Sequence, residues 1–71
     1  MDALGEQFGG NLREQRRRSG LSQERLADLA GVDRTEVSLL ERGLRVPRLD
    51  TIVKLARALG VPLAGLLSGI A

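Results

Sequence analysis

Apolar side chains recur at intervals of three and four residues through most of the chain, which is the spacing of helices that bury one face. Gly20, Gly31, Pro47 and Gly60 interrupt this pattern, and both residue types are typical of helix ends and turns. The pattern predicts an all-α chain with helices at about residues 8–19, 23–30, 34–42, 49–59 and 63–68. Residues 1–7 show no pattern and are predicted to form a flexible arm.

The predicted core follows from the same spacing. Leu12 is the clearest core residue of the first helix, while Gly9 and Gly10 leave the start of that helix open between Phe8 and Asn11. The fourth helix is predicted to bury Leu49, Ile52, Leu55, Ala56 and Leu59. No repeat, low-complexity tract or linker divides the chain, so residues 1–71 are expected to form one domain.

The second and third predicted helices are joined by a very short connection. Ser22 can cap the second helix, and Gly31 supplies the permissive backbone needed to leave it sharply. Asp33 and Glu36 have the spacing of a capping box at the start of the third helix. Two helices joined by so tight a turn must cross steeply, which is the helix-turn-helix arrangement.

The third helix has two different faces. Val37 and Leu40 point toward the second helix, whereas Arg34, Thr35 and Ser38 lie on the opposite side near the amino-terminal end. An arginine can donate two hydrogen bonds to guanine, and hydroxyl groups can bond to base edges or phosphates. The outward face therefore carries the chemistry needed to read a DNA major groove.

The chain resembles the phage-repressor type of helix-turn-helix protein. This family includes lambdoid repressors, restriction-modification controller proteins and many small bacterial regulators. The resemblance runs from about Leu12 to Leu67 and is carried by four motifs, Leu21-Ser-Gln-Glu-Arg-Leu-Ala, Ala30-Gly-Val, Val37-Ser-Leu-Leu-Glu-Arg-Gly43 and Pro47. It implies a compact five-helix domain, a homodimer, and binding to a double-stranded DNA operator through the major groove.

The resemblance also implies roles for individual residues. Base-reading positions of the family match Arg34, Thr35, Ser38 and Leu39. Gln23 matches a glutamine that holds the DNA backbone, and Arg16 and Glu41 match a structural ion pair. The carboxyl-terminal segment has more apolar side chains than a small helix needs for its own core. The equivalent segment of the family forms the dimer contact. The resemblance therefore implies that Leu66 lies in the core and that the dimer interface consists of Leu63, Ala64, Leu67 and Ile70.

Several assignments have an ordinary structural alternative. Arg42, Arg45 and Arg48 surround the Gly43 turn, where they would contact phosphates or remain exposed loop charges, and we favour phosphates. Glu36 would either cap the third helix or accept a hydrogen bond from cytosine, and capping is favoured. Arg17 and Arg18 are interpreted as solvated surface, because consecutive residues on a helix spread around it. The alternative to a dimer contact for Leu63 and Leu67 is that they cover the lower end of the core within the monomer.

Composition narrows the function further. The chain has no cysteine and no histidine, which leaves neither a disulfide nor a thiolate metal site and removes the commonest general base. We expect no enzymatic activity, no metal, no cofactor and no small-molecule ligand. The absence of a signal peptide or an apolar run of membrane length predicts a cytoplasmic protein without membrane contact. The net charge is only +2, which by itself is weak evidence for binding to nucleic acid. Of the 11 basic residues, all but Lys54 are arginine. Arginine suits contacts with phosphate and guanine, but the same preference also arises from a GC-rich genome.

The predicted function is therefore that of a dimeric, sequence-specific DNA-binding transcriptional regulator. Control of restriction-modification genes is the favoured role, and antitoxin-type regulators and phage repressors are the near alternatives. Such a protein would regulate transcription by occupying its operator and blocking or contacting RNA polymerase. A helix-turn-helix module that binds a protein instead of DNA is the alternative from another class, and such a module would tend to show acidic or apolar residues where Arg34, Thr35 and Ser38 stand.

Overall fold

The computed structural model describes residues 3–70, which form five helices joined by turns and short loops. The helices are α1 (Ala3–Arg18), α2 (Gln23–Ala30), α3 (Arg34–Glu41), α4 (Leu49–Leu59) and α5 (Leu63–Leu66). The predicted all-α fold is confirmed, and α2 and α4 have their predicted bounds. The helix α3 ends one residue early, and α5 is shorter than predicted.

The prediction of a flexible arm over residues 1–7 is wrong for Ala3 to Gln7, which form the first turns of α1, while residues 1 and 2 lie outside the described part of the chain. The physical reason lies in two buried glycines, Gly5 and Gly9. A Cβ atom at Gly9 would lie 2.2 Å from the carbonyl oxygen of Leu40. The missing side chains therefore let α1 approach the backbone of α3 at Gly9 and that of the following segment, at Gly43 and Arg45, at Gly5.

The connection between α2 and α3 follows the predicted chemistry at one end only. The Ser22 side-chain oxygen accepts a hydrogen bond from the backbone N–H of Arg25 at 3.0 Å, and Gly31 adopts a φ of 72° where α2 ends. The Asp33 side chain makes no capping hydrogen bond to α3. The predicted capping box of Asp33 and Glu36 is thus wrong, because the Glu36 carboxylate pairs with Arg45 instead.

The core lies between all five helices. It consists of the buried residues Phe8, Leu12, Leu26, Ala27, Val37, Leu40, Leu55, Ala56 and Leu66. Ile52 and Leu59 pack against this core but are only partly buried. The predicted burial of Leu49 is wrong, since this residue is 73% exposed. Leu49 is the first residue of α4, where the side chain leans back past the end of the helix, and Thr51 is buried instead.

Side-chain amides of α1 hold the short helix α5 in place. The Asn11 Nδ2 atom donates hydrogen bonds to the carbonyl oxygens of Leu66, at 3.0 Å, and Ser68, at 2.7 Å. The Gln7 Nε2 atom donates a further bond to the Ser68 carbonyl at 3.1 Å. These bonds satisfy the carbonyl group of the last residue of α5 and that of Ser68, just beyond the helix. None of the helices in residues 3–70 has the length and apolar character that a bilayer crossing requires.

Candidate nucleic-acid interface

The outward side of α3 forms an open groove with the first residue of α2. The groove has a volume of about 210 Å³ and is lined by Gln23, Arg34, Thr35, Ser38, Leu39 and Arg42. The sequence assigned four of these residues to base reading and two to the DNA backbone. The fold thus brings all of the predicted base-reading residues together on one surface.

The exposure of these side chains varies along the groove. Arg34, Thr35 and Arg42 are exposed, whereas Ser38 and Leu39 are half-buried along the helix flank. Within residues 3–70, neither Arg34 nor Arg42 forms an ion pair with an acidic side chain. Both guanidinium groups therefore keep their donors available to an acceptor outside the protein.

Below this groove, Arg16 and Glu41 form an ion pair in the position expected from the sequence. The Arg16 Nε atom lies 2.6 Å from Glu41 Oε2, and Arg16 Nη2 donates to Glu41 Oε1 at 3.0 Å. Arg16 Nη1 also donates to the Leu21 carbonyl at 2.8 Å. The two side chains are only 13% and 3% exposed. Hydrogen bonding to Glu41 raises the pKa of Arg16 despite the opposing effect of burial, so the guanidinium group stays protonated.

Gln23 is attached to the same ion pair. Its Nε2 atom donates to Glu41 Oε1 at 3.1 Å, which fixes the amide at the first residue of α2. A second depression lies beside the groove and is lined by Arg16, Ser22, Gln23, Glu24 and Arg34. The positive end of α2 and the Arg34 guanidinium face this depression, and together they suit an anion such as a phosphate.

The other two arginines predicted to contact phosphates lie outside the groove, in the segment between α3 and α4. Arg45 pairs with Glu36 through Nη1 and Oε1, and Arg48 lies 3.4 Å from Asp50. Glu36 follows Arg34 by two residues, which places it about 200° around the helix from that side chain. Its carboxylate is held in the pair with Arg45 on the opposite flank of α3 and does not line the groove.

The remaining arginines of α1 are surface residues. Arg18 pairs with Glu14 at 3.2 Å, and both side chains are well exposed. Arg17 is exposed as well. This arrangement agrees with the interpretation of Arg17 and Arg18 as solvated surface.

The predicted dimer residues divide between two environments. Leu63 and Leu67 are 41% and 38% exposed, and Ala64 is exposed between them, while Leu66 is buried in the core as expected. Ile70 is half-buried and packs against the core of its own chain. The exposed apolar patch of α5 thus comprises Leu63 and Ala64 of the helix and Leu67 directly after it.

Sequence reasoning missed two groups of residues around the site. Gln7 and Asn11 position α5, and Gly5 and Gly9 position the end of α3 together with the Gly43 turn. The four-residue spacing of the two glycines was a usable signal for a close helix crossing. The two amides gave no such signal, because they are ordinary polar residues on a helix.

The helix-turn-helix family HTH_3 matches residues 12–66, a range that includes α2 to α5 in full. Control protein C.BamHI of Bacillus amyloliquefaciens is 46% identical over 55 residues, which cover 76% of this chain and 68% of the control protein. The cryptic phage CTXphi transcriptional repressor RstR of Vibrio cholerae is 38% identical over 61 residues, which cover 86% of this chain. The matched residues are 55% of that repressor, so the chain spans about half of its length.

Solved structures give a likeness in fold and sequence together. The restriction-modification controller protein C.AhdI from Aeromonas hydrophila matches with a TM-score of 0.88 and 48% identity, over 92% of this chain and 98% of the controller. The hypothetical transcription factor NHTF from Neisseria matches with a TM-score of 0.85 and 44% identity, over 90% of this chain and 74% of the factor. The likeness to C.AhdI extends over nearly the whole of that controller.

Proposed function

This chain belongs to the HTH_3 helix-turn-helix family, and we propose that it is a sequence-specific DNA-binding transcriptional regulator that reads an operator as a homodimer. One observation carries the proposal. All four side chains predicted to read bases line one groove with Gln23 and Arg42, which are predicted to hold the DNA backbone. A surface that combines base-edge donors with phosphate donors at its rim is what a recognition helix needs in the major groove.

The proposed base contacts follow from side-chain chemistry. The Arg34 side chain has no hydrogen-bond or ion-pair partner among the described residues and donates in pairs to the N7 and O6 atoms of guanine. Thr35 and Ser38 bond to a neighbouring base edge, and Leu39 makes an apolar contact with a thymine methyl group. Arg34 is the main determinant of sequence in this scheme.

The proposed backbone contacts surround the groove. Gln23 donates to a phosphate from the first turn of α2, where the free N–H groups and the helix dipole favour an anion. Arg42 reaches a phosphate from the other end of α3, and Arg45 and Arg48 do so from the segment that follows. The Glu41 bond to Gln23 supports this role, because it orients the amide before DNA arrives.

The proposed homodimer uses the exposed apolar patch of α5, Leu63, Ala64 and Leu67. A second copy would remove these side chains from water, which is the usual fate of such a patch. The two recognition helices would then lie about 34 Å apart and read half-sites one turn of DNA apart.

Control of restriction-modification genes is the favoured physiological role. The likeness to C.AhdI over 98% of that controller supports it, as does the likeness to control protein C.BamHI. A phage-repressor role is the alternative supported by the likeness to RstR, and an antitoxin-type regulator remains the third. Contact with RNA polymerase stays a prediction.

Selection from a randomised duplex pool tests the function directly. The purified protein should enrich a two-fold symmetric sequence, and DNase protection should then map that sequence upstream of a target promoter. The affinity should fall with rising salt at a log-log slope of about −0.9 per phosphate contacted. No enrichment together with a flat salt dependence would contradict DNA binding and favour a protein-interaction module.

A further inference from the structure

We propose that Glu36 competes with DNA phosphate for Arg45, so that this carboxylate sets how strongly the protein holds the duplex backbone. The inference rests on the proposed function, since it concerns the free energy of binding to any DNA sequence. It assigns Glu36 neither a base contact nor a helix cap. Glu36 is instead a positioning residue that acts through Arg45.

The two side chains of the pair between Glu36 and Arg45 differ in their exposure to solvent. The Glu36 side chain is 21% exposed, because it lies along the flank of α3 next to the segment that follows the helix. The Arg45 side chain is 53% exposed, and only its Nη1 atom bonds to the carboxylate. Among residues 3–70, no other acidic side chain pairs with this guanidinium group.

The paired arginines Arg16 and Arg48 differ from Arg45 in two ways. Arg16 is enclosed with Glu41 and also bonds to the Leu21 carbonyl, so it cannot leave without exposing a buried charge. Arg48 lies 3.4 Å from Asp50 with both side chains largely exposed, which is a loose pair that holds little. Arg45 alone among these three combines a fixed carboxylate with an accessible guanidinium group.

The consequence for binding is a partner exchange. When a phosphate approaches the Gly43 turn, it competes with the Glu36 carboxylate for the single positive charge of Arg45, so neutralising the phosphate weakens the pair with Glu36. Exposed ion pairs of this kind are worth a factor of about 1.4 to 5 in an equilibrium constant. Since phosphates are the same in every sequence, the factor should apply equally to the operator and to random DNA.

The test is a double-mutant cycle on Glu36→Gln and Arg45→Ala, read out as affinity for a random-sequence duplex over a range of salt concentrations. Glu36→Gln should raise the affinity by about 1.4- to 5-fold, because it frees Arg45 without removing it. The salt slope should stay unchanged, since Arg45 reaches the phosphate in both proteins. In the Arg45→Ala background, Glu36→Gln should raise the affinity no more than the removal of a distant negative charge does.

Glu14→Gln provides that control. It removes the same charge from an exposed ion pair on α1 and leaves α3 untouched. Thermal melting of all variants should show that each is folded, and Arg45→Ala keeps the cycle interpretable because this side chain lies on the surface.

Three results would overturn the inference. The first is no gain in affinity beyond that of Glu14→Gln, and the second is a gain that persists in the Arg45→Ala background. The third is a salt slope that steepens by about 0.9, since Arg45 would then contact phosphate only in the variant. Failure of the natural protein to bind any duplex would instead contradict the proposed function, so the two failures are distinguishable.

Discussion

The guanidinium group of Arg16 on α1 donates two hydrogen bonds to the carboxylate of Glu41 at the end of α3, 25 residues further along the chain. The same carboxylate accepts a bond from Gln23 at the start of α2. One enclosed acidic group therefore joins three helices. It links the stability of the fold to the orientation of an amide at the edge of the proposed DNA site.

Replacing Arg16 by alanine should destabilise the protein by about 3 kcal/mol, because it leaves the Glu41 charge enclosed without its partner. This is a large share of the stability of a small domain. Urea unfolding followed by circular dichroism measures the effect. Arg17→Ala, on the exposed side of the same helix, is the matched control and should change stability by less than about 0.5 kcal/mol. An unchanged midpoint for Arg16→Ala would refute a stabilising role for the pair.

Replacing Gly9 by alanine should destabilise the fold by about 1–3 kcal/mol. The new Cβ atom would lie 2.2 Å from the Leu40 carbonyl oxygen and 2.9 Å from that of Glu41, so α1 and α3 must move apart. Gly10 is the control, since a Cβ atom there meets nothing within 4 Å. Gly10→Ala should stabilise α1 by about 0.5–1 kcal/mol. Equal melting temperatures for the two variants would contradict the close crossing.

Replacing Arg34 by alanine should weaken binding to the selected operator by about 1–3 kcal/mol and leave binding to random DNA nearly unchanged. The reason is that the proposed contact is to a guanine, which only the operator offers at that position. Fluorescence anisotropy with both duplexes measures the difference. Arg42→Ala is the comparison, because loss of a phosphate contact should weaken both duplexes alike. Equal losses on the two duplexes for Arg34→Ala would show that Arg34 is not a base reader.

Replacing Leu63 by serine should weaken self-association without unfolding the monomer, since this side chain is 41% exposed and lies outside the core. Sedimentation equilibrium measures the dimer dissociation constant, and half-site spacing in the bound DNA gives a second readout. Leu49→Ser is the control, because Leu49 is also exposed but lies on α4. A dissociation constant changed by Leu49→Ser and not by Leu63→Ser would move the interface from α5 to α4.

Much of the helix-turn-helix unit could be predicted from the sequence because its signals are local. Ser22 bonds to a backbone N–H three residues away, and the positive φ of Gly31 is a property of the glycine itself. The burial of Val37 and Leu40 follows from helical periodicity, which also placed Arg34 and Thr35 on the outward face. For these residues, interactions with neighbours along the chain determine the conformation and the direction of the side chain.

Only the tertiary structure decided the features that depend on distant partners. Ala3 to Gln7 are helical since α1 packs closely at Gly9 against the end of α3 and at Gly5 against the segment after it. Leu49 is exposed even though it continues the apolar spacing of α4. The sequence predicted that Glu36 either caps α3 or accepts a hydrogen bond from a cytosine. In the structure its carboxylate is bound by Arg45, nine residues further along the chain. Whether a charged side chain caps a helix, reads a base or joins an ion pair is a competition between neighbours in space, and spacing along the chain does not determine those neighbours.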